Sequence, residues 1–492
     1  MLLADVLGVP DAPPVEIAGL AYDNRRVTDG TLFFCVPGFT RDGHDFAPDA
    51  VARGAAALVV ERPLGLGVPE VVVESVRAAM APAAARLHGD PTAKLRVAGV
   101  TGTNGKTTTT YLVRALLEAA GLQTGLLGTI TSVVGGEERV STHTTPEAID
   151  LQATFAEMLA GGDVACAMEV SSHALELGRA SAIHWDVAIF TNLTQDHLDF
   201  HPTMEDYFAA KRKLFTDGAP RVSVINVDDP YGARLLEELR ASGLGGELVP
   251  YSLTDALQLR TGPAGSRFVL EDGLRVGTPM PGLFNVLNAL AAVHAARALG
   301  VPDHVIEEAL PRAGQVPGRF ERVDEGQDFT VVVDYSHTPD SLENVLKAAR
   351  ELASGGRVLC VFGCGGDRDR AKRPIMGRIA AELADVPILT SDNPRTEEPE
   401  AIIREVLAGM PADAVWDVDR RAAIGRAVGE ARGGDIVVIA GKGHEQGQEI
   451  NGVKHPFDDV TVAAEALHAR GFTGDAVRPS SPPHPDAAEA TR

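Results

Sequence analysis

The segment VAGVTGTNGKTTTTYLVRALLEAAG, residues 97–121, constrains this chain more than any other stretch. It reads as a strand, a glycine-rich turn and a helix. Val97 and Val100 close an apolar run, Leu112, Ala115, Leu116 and Ala119 recur at helical spacing, and Gly121 stands where a helix commonly stops. Between the two elements, Gly102, Thr103, Asn104 and Gly105 form a turn whose glycines allow close backbone approach. Main-chain N–H groups and the helix N-terminus can then face phosphate oxygens. Lys106 supplies a cation for terminal phosphates, and the hydroxyl of Thr107 or Thr108 can ligand Mg²⁺. The common phosphate loop places four residues between its first glycine and the Gly-Lys pair, which here puts Val100 at the glycine position. The turn is therefore a shorter variant, suited to a nucleoside triphosphate.

A chain of 492 residues exceeds what one core organises, so two or three α/β domains are expected. Its 45 basic and 68 acidic residues leave a net charge of −23, which argues against broad binding to nucleic acid or anionic membrane. Anionic ligands then need local basic pockets. The four cysteines, Cys35, Cys166, Cys360 and Cys364, lack paired metal-ligand spacing and read as buried thiols in a reducing cytoplasm. The start MLLADVLGVPD carries an early acid and no basic region, unlike a signal peptide, and no apolar run reaches membrane-spanning length. A cytoplasmic monomer without membrane insertion is expected.

Strand-like runs in residues 1–95 (TLFFCVPG, AAALVV, EVVVE) accompany an alanine-rich helix ending near His88, and GDPTAK reads as a linker. From 96 to 315, VACAMEV, DVAIFTNL and RVSVINVDD alternate with helical patterns, which implies a mostly parallel sheet covered by helices. From 316 to 475, FTVVVDY, RVLCVFGCG, VPILTSD and DIVVIAG repeat that alternation as a Rossmann-like unit. Residues 476–492 are proline-rich and polar, and read as disordered.

Ligands of open α/β sheets gather beyond the carboxyl ends of strands. Glu169 ends the strand of MEVSSH, where a carboxylate can hold Mg²⁺ directly or through water, and Asp196 and His197 follow the next strand in NLTQDHLDFH. GTNGKT, MEVSSHAL, NLTQDHLDFH, YFAAKRKLF, GLFNVLNALAA, GRFE, DYSHTPDSL, GCGGDRDRAKRP, SDNPRTEEP and GKGHE occur in that order. Together they resemble the Mur ligase family, and DNPR with GCGGDR and GKGHE points to its diaminopimelate-adding branch. The short loop GTNGKT alone is shared with folylpolyglutamate synthases. The resemblance runs from Asp23 to about residue 470.

That resemblance implies three domains: a UDP-binding domain, a central ATPase domain and a Rossmann-like domain that admits the amino acid. It implies an ATP-dependent ligase that joins meso-diaminopimelate to the D-glutamate γ-carboxylate of UDP-N-acetylmuramoyl-L-alanyl-D-glutamate through an acyl phosphate, in peptidoglycan precursor synthesis. The LL isomer, or L-lysine, is the alternative amino acid. Thr107, Glu169 and His197 become magnesium ligands or their partners, with Lys211 as an N-carboxylated lysine beside them. Spacing alone would make Lys211 a solvated helix lysine. Asn285 and Asn288 would face the ATP base, and Arg319 and Asp334 would close over the nucleotide. Asn24, Thr144, Thr145, Ser171 and Arg179 would contact the UDP-sugar peptide, although Asn24 and Leu177 depart from the residues common in relatives. Arg368, Asp392, Asn393, Pro394, Arg395, Gly441 and Glu445 would form the diaminopimelate site. Pro394 stiffens the turn and aims the Arg395 guanidinium at a distal carboxylate, while Glu445 meets the distal ammonium. His337 or a water is left as the base for the incoming amine.

Three competing readings are weaker. A folylpolyglutamate synthase would lack DNPR, and a GTPase switch would need a guanine motif that is absent here. An oxidoreductase argued from FGCGGD lacks the third spaced glycine, and Arg368 and Arg370 beside it suit a carboxylate better.

Overall fold

The structure, a computed structural model, describes residues 1–474 apart from 39, 142, 263 and 354. The proposed disordered tail, 476–492, lies outside the described residues. Three sheets, each with its own helices, follow one another along the chain. The first has four parallel strands in sequence order, Gly19–Ala21, Thr31–Phe34, Ala55–Val60 and Glu70–Val72. Leu32, Phe34, Ala57 and Val59 pack on the helix Val76–Leu87, whose Ser75 side chain accepts the backbone N–H of Ala78 as its N-cap.

The second sheet has eight strands and buries Arg96–Thr101 near its middle. Val187–Phe190, Val222–Asn226 and Glu247–Tyr251 lie on one side of that strand, with Ala165–Glu169 and Thr124–Leu127 on the other. These six are parallel, and Thr131–Val134 and Glu137–Val140 complete the edge in antiparallel fashion. Ala165–Glu169, Val187–Phe190 and Val222–Asn226 are buried along their whole length, which explains their unbroken apolar runs. Lys106–Ala119 and Leu283–Ala298 cover one face, with Leu112, Val113, Leu116 and Leu117 fully buried between them and the sheet. Each such side chain contributes about 1.5–3 kcal/mol of transfer free energy. The chain leaves the central strand in opposite directions on its two sides, so the turn after Thr101 lies at a switch point where ligands bind.

The third sheet has the order Glu321–Val323, Thr330–Asp334, Ile436–Ala440, Val358–Phe362, Val386–Thr390 and Val415–Asp417. Only the first pair is antiparallel. The fold is thus the α/β, mostly parallel, three-unit architecture expected, with two additions. Leu257–Gly262, Gly265–Val269 and Arg275–Thr278 form a small antiparallel sheet, and Gly447–Ile450 pairs with Val453–Pro456 as a hairpin. Both were invisible to pattern reading because LQLRTG and VKHP are largely exposed and carry no buried alternation. Among the described residues, no helix is long and apolar enough to cross a membrane, and all four cysteines are buried.

Candidate active site

A cavity of about 580 Å³ opens between the carboxyl ends of the second and third sheets. Its floor is the turn 102–105. Gly102 and Gly105 have φ of +148° and +85°, and a Cβ on either would strike Thr191 Oγ1 or Asn288 Oδ1, so only glycine fits. Lys106 curls back over the loop, donating to the carbonyls of Gly102 (2.9 Å) and Thr103 (2.7 Å). Burial draws its pKa down, against the nearby charges of Glu169 and Asp196. Asn288 lines the cavity and donates to Asn285 Oδ1 (3.1 Å), while Asn285 is anchored to the Pro281 carbonyl (2.8 Å) and stands behind it.

Lys211 is not solvated: it is 1 % exposed and donates to the Gly102 carbonyl at 2.7 Å. Its nitrogen sits 4.6 Å over the Tyr207 ring. Burial, reinforced by the charge of Lys106, holds its pKa well below the usual lysine value. A neutral amine is the form that can add carbon dioxide, so the burial that spacing concealed supplies the chemistry a carbamate needs. Glu169, also buried, accepts from the Thr129 N–H (2.8 Å) and hydroxyl (3.1 Å). His197 has left-handed backbone (φ +53°), lies 3.5 Å from Asp196, and partial burial draws its pKa below the usual histidine value toward the neutral form. The Thr107 hydroxyl accepts from Arg319 at 3.1 Å.

Among the described residues, no three His, Cys, Asp or Glu side chains converge as a ready metal cage. The hard hydroxyl and carboxylate of Thr107 and Glu169, with neutral His197, nonetheless suit a magnesium ion that keeps waters and phosphate oxygens as its other ligands. Lys211 joins that set only once carboxylated.

The third sheet contributes the opposite wall. Arg319 stacks 4.6 Å over Tyr335, and its Nε is buried without a partner. Asp334 also lines the cavity, but its two oxygens hold the N–H groups of Phe320 (2.7 Å) and Ser336 (2.9 Å). It therefore sets the bend that carries Arg319. Burial raises its pKa. His337 lies on the same wall, is driven toward the neutral form by burial, and accepts Lys372 at its carbonyl. Asp340, which sequence reasoning missed, reaches across to the second sheet's loop: Asn104 Nδ2 donates to it at 2.8 Å. Its only local signal is its position after Pro339 in the first turn of the helix Pro339–Leu352. The junction itself is tight. A Cβ on Gly318 (φ +64°) would lie 2.1 Å from His444 N, and one on Gly443 2.8 Å from the Gly318 carbonyl.

Thr144, Thr145, Ser171 and Arg179 line the far end of the cavity. Thr145 Oγ1 accepts the Ser171 N–H (3.1 Å), and Arg179 pairs with Glu147 at 2.9 Å. Asn24 is absent from this lining. It is on the first unit's surface, donating to Asp49 at 2.7 Å.

A second cluster forms behind the cavity at the carboxyl end of the third sheet. Arg395 is left-handed (φ +52°), donates to the Gly366 carbonyl (2.6 Å), and lies 3.7 Å from Glu449. An ion pair of Arg395 with Glu397 or Glu398 would have been the plain surface reading. Instead Glu397 is taken by the fully buried Arg373 at 2.7 Å. Arg395 and the stem of Arg368 approach the same point beside Gly365, and Arg368 also lines the cavity. Arg370, whose place beside Arg368 suited a carboxylate, is exposed and paired with Glu405 instead. Pro394 precedes Arg395 in the turn, and its carbonyl packs against Gly366. Asp392 is buried with Oδ2 unpartnered, and Gly441 (φ +117°) leaves room for that oxygen. Asn393 donates to Glu445 at 2.7 Å. Glu445 also accepts Lys442 at 3.1 Å, so one of its oxygens is already engaged. Lys442 lies inside the quoted GKGHE, but sequence reading singled out only its Gly441 and Glu445.

Three family descriptions match the chain: Mur ligase family, catalytic domain, over residues 16–93; Mur ligase middle domain, over 100–296; and Mur ligase, glutamate ligase domain, over 318–443. The chain is 48 % identical over 474 residues to a UDP-N-acetylmuramoyl-L-alanyl-D-glutamate–2,6-diaminopimelate ligase of Geobacillus kaustophilus, covering 93 % of this chain and 96 % of that one. A protein of the same description from Streptomyces coelicolor is 46 % identical over 485 residues, covering 94 % and 95 %. A solved structure with that description superposes with a TM-score of 0.71 at 36 % identity, covering 96 % of this chain and all of the other. A Mycobacterium tuberculosis folylpolyglutamate synthase shares the fold at 19 % identity, with a TM-score of 0.57, covering 81 % of this chain and 96 % of that one.

Proposed function

The chain belongs to the Mur ligase family, and from that premise we propose that it is the ATP-dependent ligase adding meso-diaminopimelate to UDP-N-acetylmuramoyl-L-alanyl-D-glutamate. The observation that carries this reading is the juxtaposition of a phosphate-binding turn with a separate arginine-bearing cluster across one cavity. A phosphate site alone would serve many ATPases. The cluster of Arg395, Asn393 and Glu445 supplies what a second, doubly charged substrate needs.

In this reading residues 1–95 hold the uridine end, 96–315 the nucleotide, and 316–475 the amino acid. The γ-carboxylate of D-glutamate, guided past Thr144, Thr145, Ser171 and Arg179, attacks the γ-phosphoryl group, giving an acyl phosphate as ADP leaves. Loop N–H groups, Lys106 and Arg319 stabilise charge spreading over the transferred oxygens. Bound magnesium supplies Lewis-acid stabilisation of those phosphates. Thr107, Glu169, His197 and carboxylated Lys211 would hold it. The amine of diaminopimelate then attacks the acyl carbon, phosphate leaves, and the amine proton passes to His337 or a water. Arg319, reaching from the third sheet to Thr107, closes the site and excludes water from the hydrolysable intermediate. Lysine, with no distal carboxylate, would leave the partly buried Arg395 guanidinium with only its longer 3.7 Å contact to Glu449 for a counter-charge, which disfavours it. In this reading the ligase works as a cytoplasmic monomer.

The test is ADP release by the purified protein with the UDP-muramoyl dipeptide and a panel of meso- and LL-diaminopimelate and L-lysine. ADP should form only with both acceptor and amino acid, with the meso isomer preferred, and Lys106→Ala should abolish it. ATP turnover without acceptor, activity on folates, or equal use of lysine would refute the assignment.

A further inference from the structure

The geometry points to Lys442 as the residue that positions Asn393 and Glu445, and so selects an amino acid whose distal end carries both an ammonium and a carboxylate. This inference rests on the proposed ligase reading and concerns a residue that reading does not need.

The Lys442 side chain is wholly buried, which lysine tolerates only when paired. Its ammonium donates to Asn393 Oδ1 at 2.9 Å and to Glu445 Oε2 at 3.1 Å. Asn393 Nδ2 closes the triangle on the same Glu445 oxygen at 2.7 Å. Lysine can only donate and a carboxylate can only accept, so the amide of Asn393 has one workable orientation between them. The Glu449 N–H, 3.0 Å from Asn393 Oδ1, agrees with it. Both held groups use a single Glu445 oxygen, and Oε1 has no hydrogen-bond partner among the described residues. That oxygen is the one left to receive a ligand ammonium, and Glu445 remains about one-third exposed to do so.

Arg395 and Lys442 face Asp392, Glu445 and Glu449, while nearby Arg420 is spent on Asp459 at 2.6 Å. Burial opposes ionisation of Asp392, and Lys442 is the leading charge that offsets it. Removing Lys442 takes one cation from beside Asp392 and Glu445, and the pocket turns toward purely cationic side chains such as that of lysine.

The experiment compares full-length wild type, Lys442→Met and Lys442→Gln by ADP release with meso-diaminopimelate and with L-lysine, alongside thermal unfolding. Lys442→Met should raise the KM for diaminopimelate by about tenfold to a hundredfold, since hydrogen bonds to charged groups are lost. The diaminopimelate-over-lysine ratio of kcat/KM should fall by about tenfold or more, and the KM for ATP should stay within about twofold. Lys442→Gln, which keeps a donor without the charge, should recover part of the KM but not the selectivity. Unchanged KM and selectivity in Lys442→Met, or an equal loss for both amino acids and ATP, overturns the inference. If Lys442→Met shows no cooperative unfolding, unchanged selectivity in Lys442→Gln overturns it. A wild type indifferent to diaminopimelate overturns the ligase reading first, and is seen before any variant is made.

Discussion

The hydrogen bond from Asn104 to Asp340 should tie the phosphate loop to the third sheet during turnover, and a double-mutant cycle can measure it. Asn104 Nδ2 lies 2.8 Å from Asp340 Oδ2, which also receives the Thr194 hydroxyl at a longer 3.3 Å. Burial raises the pKa of Asp340, and the Asn104 contact works against that rise. Asn104→Ala should therefore leave a carboxylate that is poorly solvated and more easily protonated. A neutral donor to a charged acceptor is worth about 1.5–3 kcal/mol. With Thr194 retaining part of that, a coupling energy of about 1–2 kcal/mol is expected, or about five- to thirtyfold in kcat/KM for ATP. The assay is ADP release under ATP-limiting conditions for wild type, Asn104→Ala, Asp340→Ala and the double variant. Each single variant should lose activity, and the double variant should lose less than the product of the two. Losses that combine independently, with coupling below about 0.3 kcal/mol, would mean that the contact is worth the same in every state and does not serve closure.

Other consequences follow from buried charge. Lys211→Met should abolish ligation yet raise the melting temperature in carbon-dioxide-free buffer at pH 7. Because the folded pKa of Lys211 lies below its unfolded value, wild-type stability should also climb as pH rises between those two values, and the variant should lose that climb; a lower melting temperature in Lys211→Met refutes this. Burial holds His444 at about 3 and also draws His197, beside Asp196, below the usual histidine value. The unfolded chain binds protons at these positions below about pH 6.5, so stability should fall as pH drops from there toward 3. His444→Phe should flatten part of that fall in a series of melting curves, and an unchanged slope would count against it. Asp459→Ala should cost about 3–5 kcal/mol in denaturant titration by stranding Arg420, since both side chains are fully buried; a loss under about 1 kcal/mol would contradict that account.

What the sequence made legible was local. The strand, turn and helix around Lys106 lie within 25 residues, and their apolar period and glycines state their structure directly. The parallel strands were equally readable, because burial on both faces leaves unbroken runs such as VAIF. The partnerships across the cavity were not. Arg319 meets Thr107 across 212 positions, and Asp340 meets Asn104 across 236, and no periodicity records such a meeting. Spacing alone misplaced Lys211 for a different reason, although the resemblance drew it into the site: basic residues crowd its helix, and only the packing of Tyr207 and the phosphate loop reveals that this one points inward. Arg370 erred the other way, a charge next to a good motif whose partner Glu405 lies on another helix. Lys442 stood in plain view within GKGHE, and its role depended on Asn393, 49 positions earlier.

The close packing of Gly318 against Gly443 and His444 has a mechanical consequence. Gly318 precedes Arg319, which touches the phosphate loop, while Gly443 follows Lys442, which braces the second cluster. There is no room for even one methyl group between these segments. Seating an amino acid behind the cavity and gripping the phosphates in front of it are therefore expected to be joined through this strut of backbone, and Gly318→Ala should raise the KM for the amino acid and for ATP together.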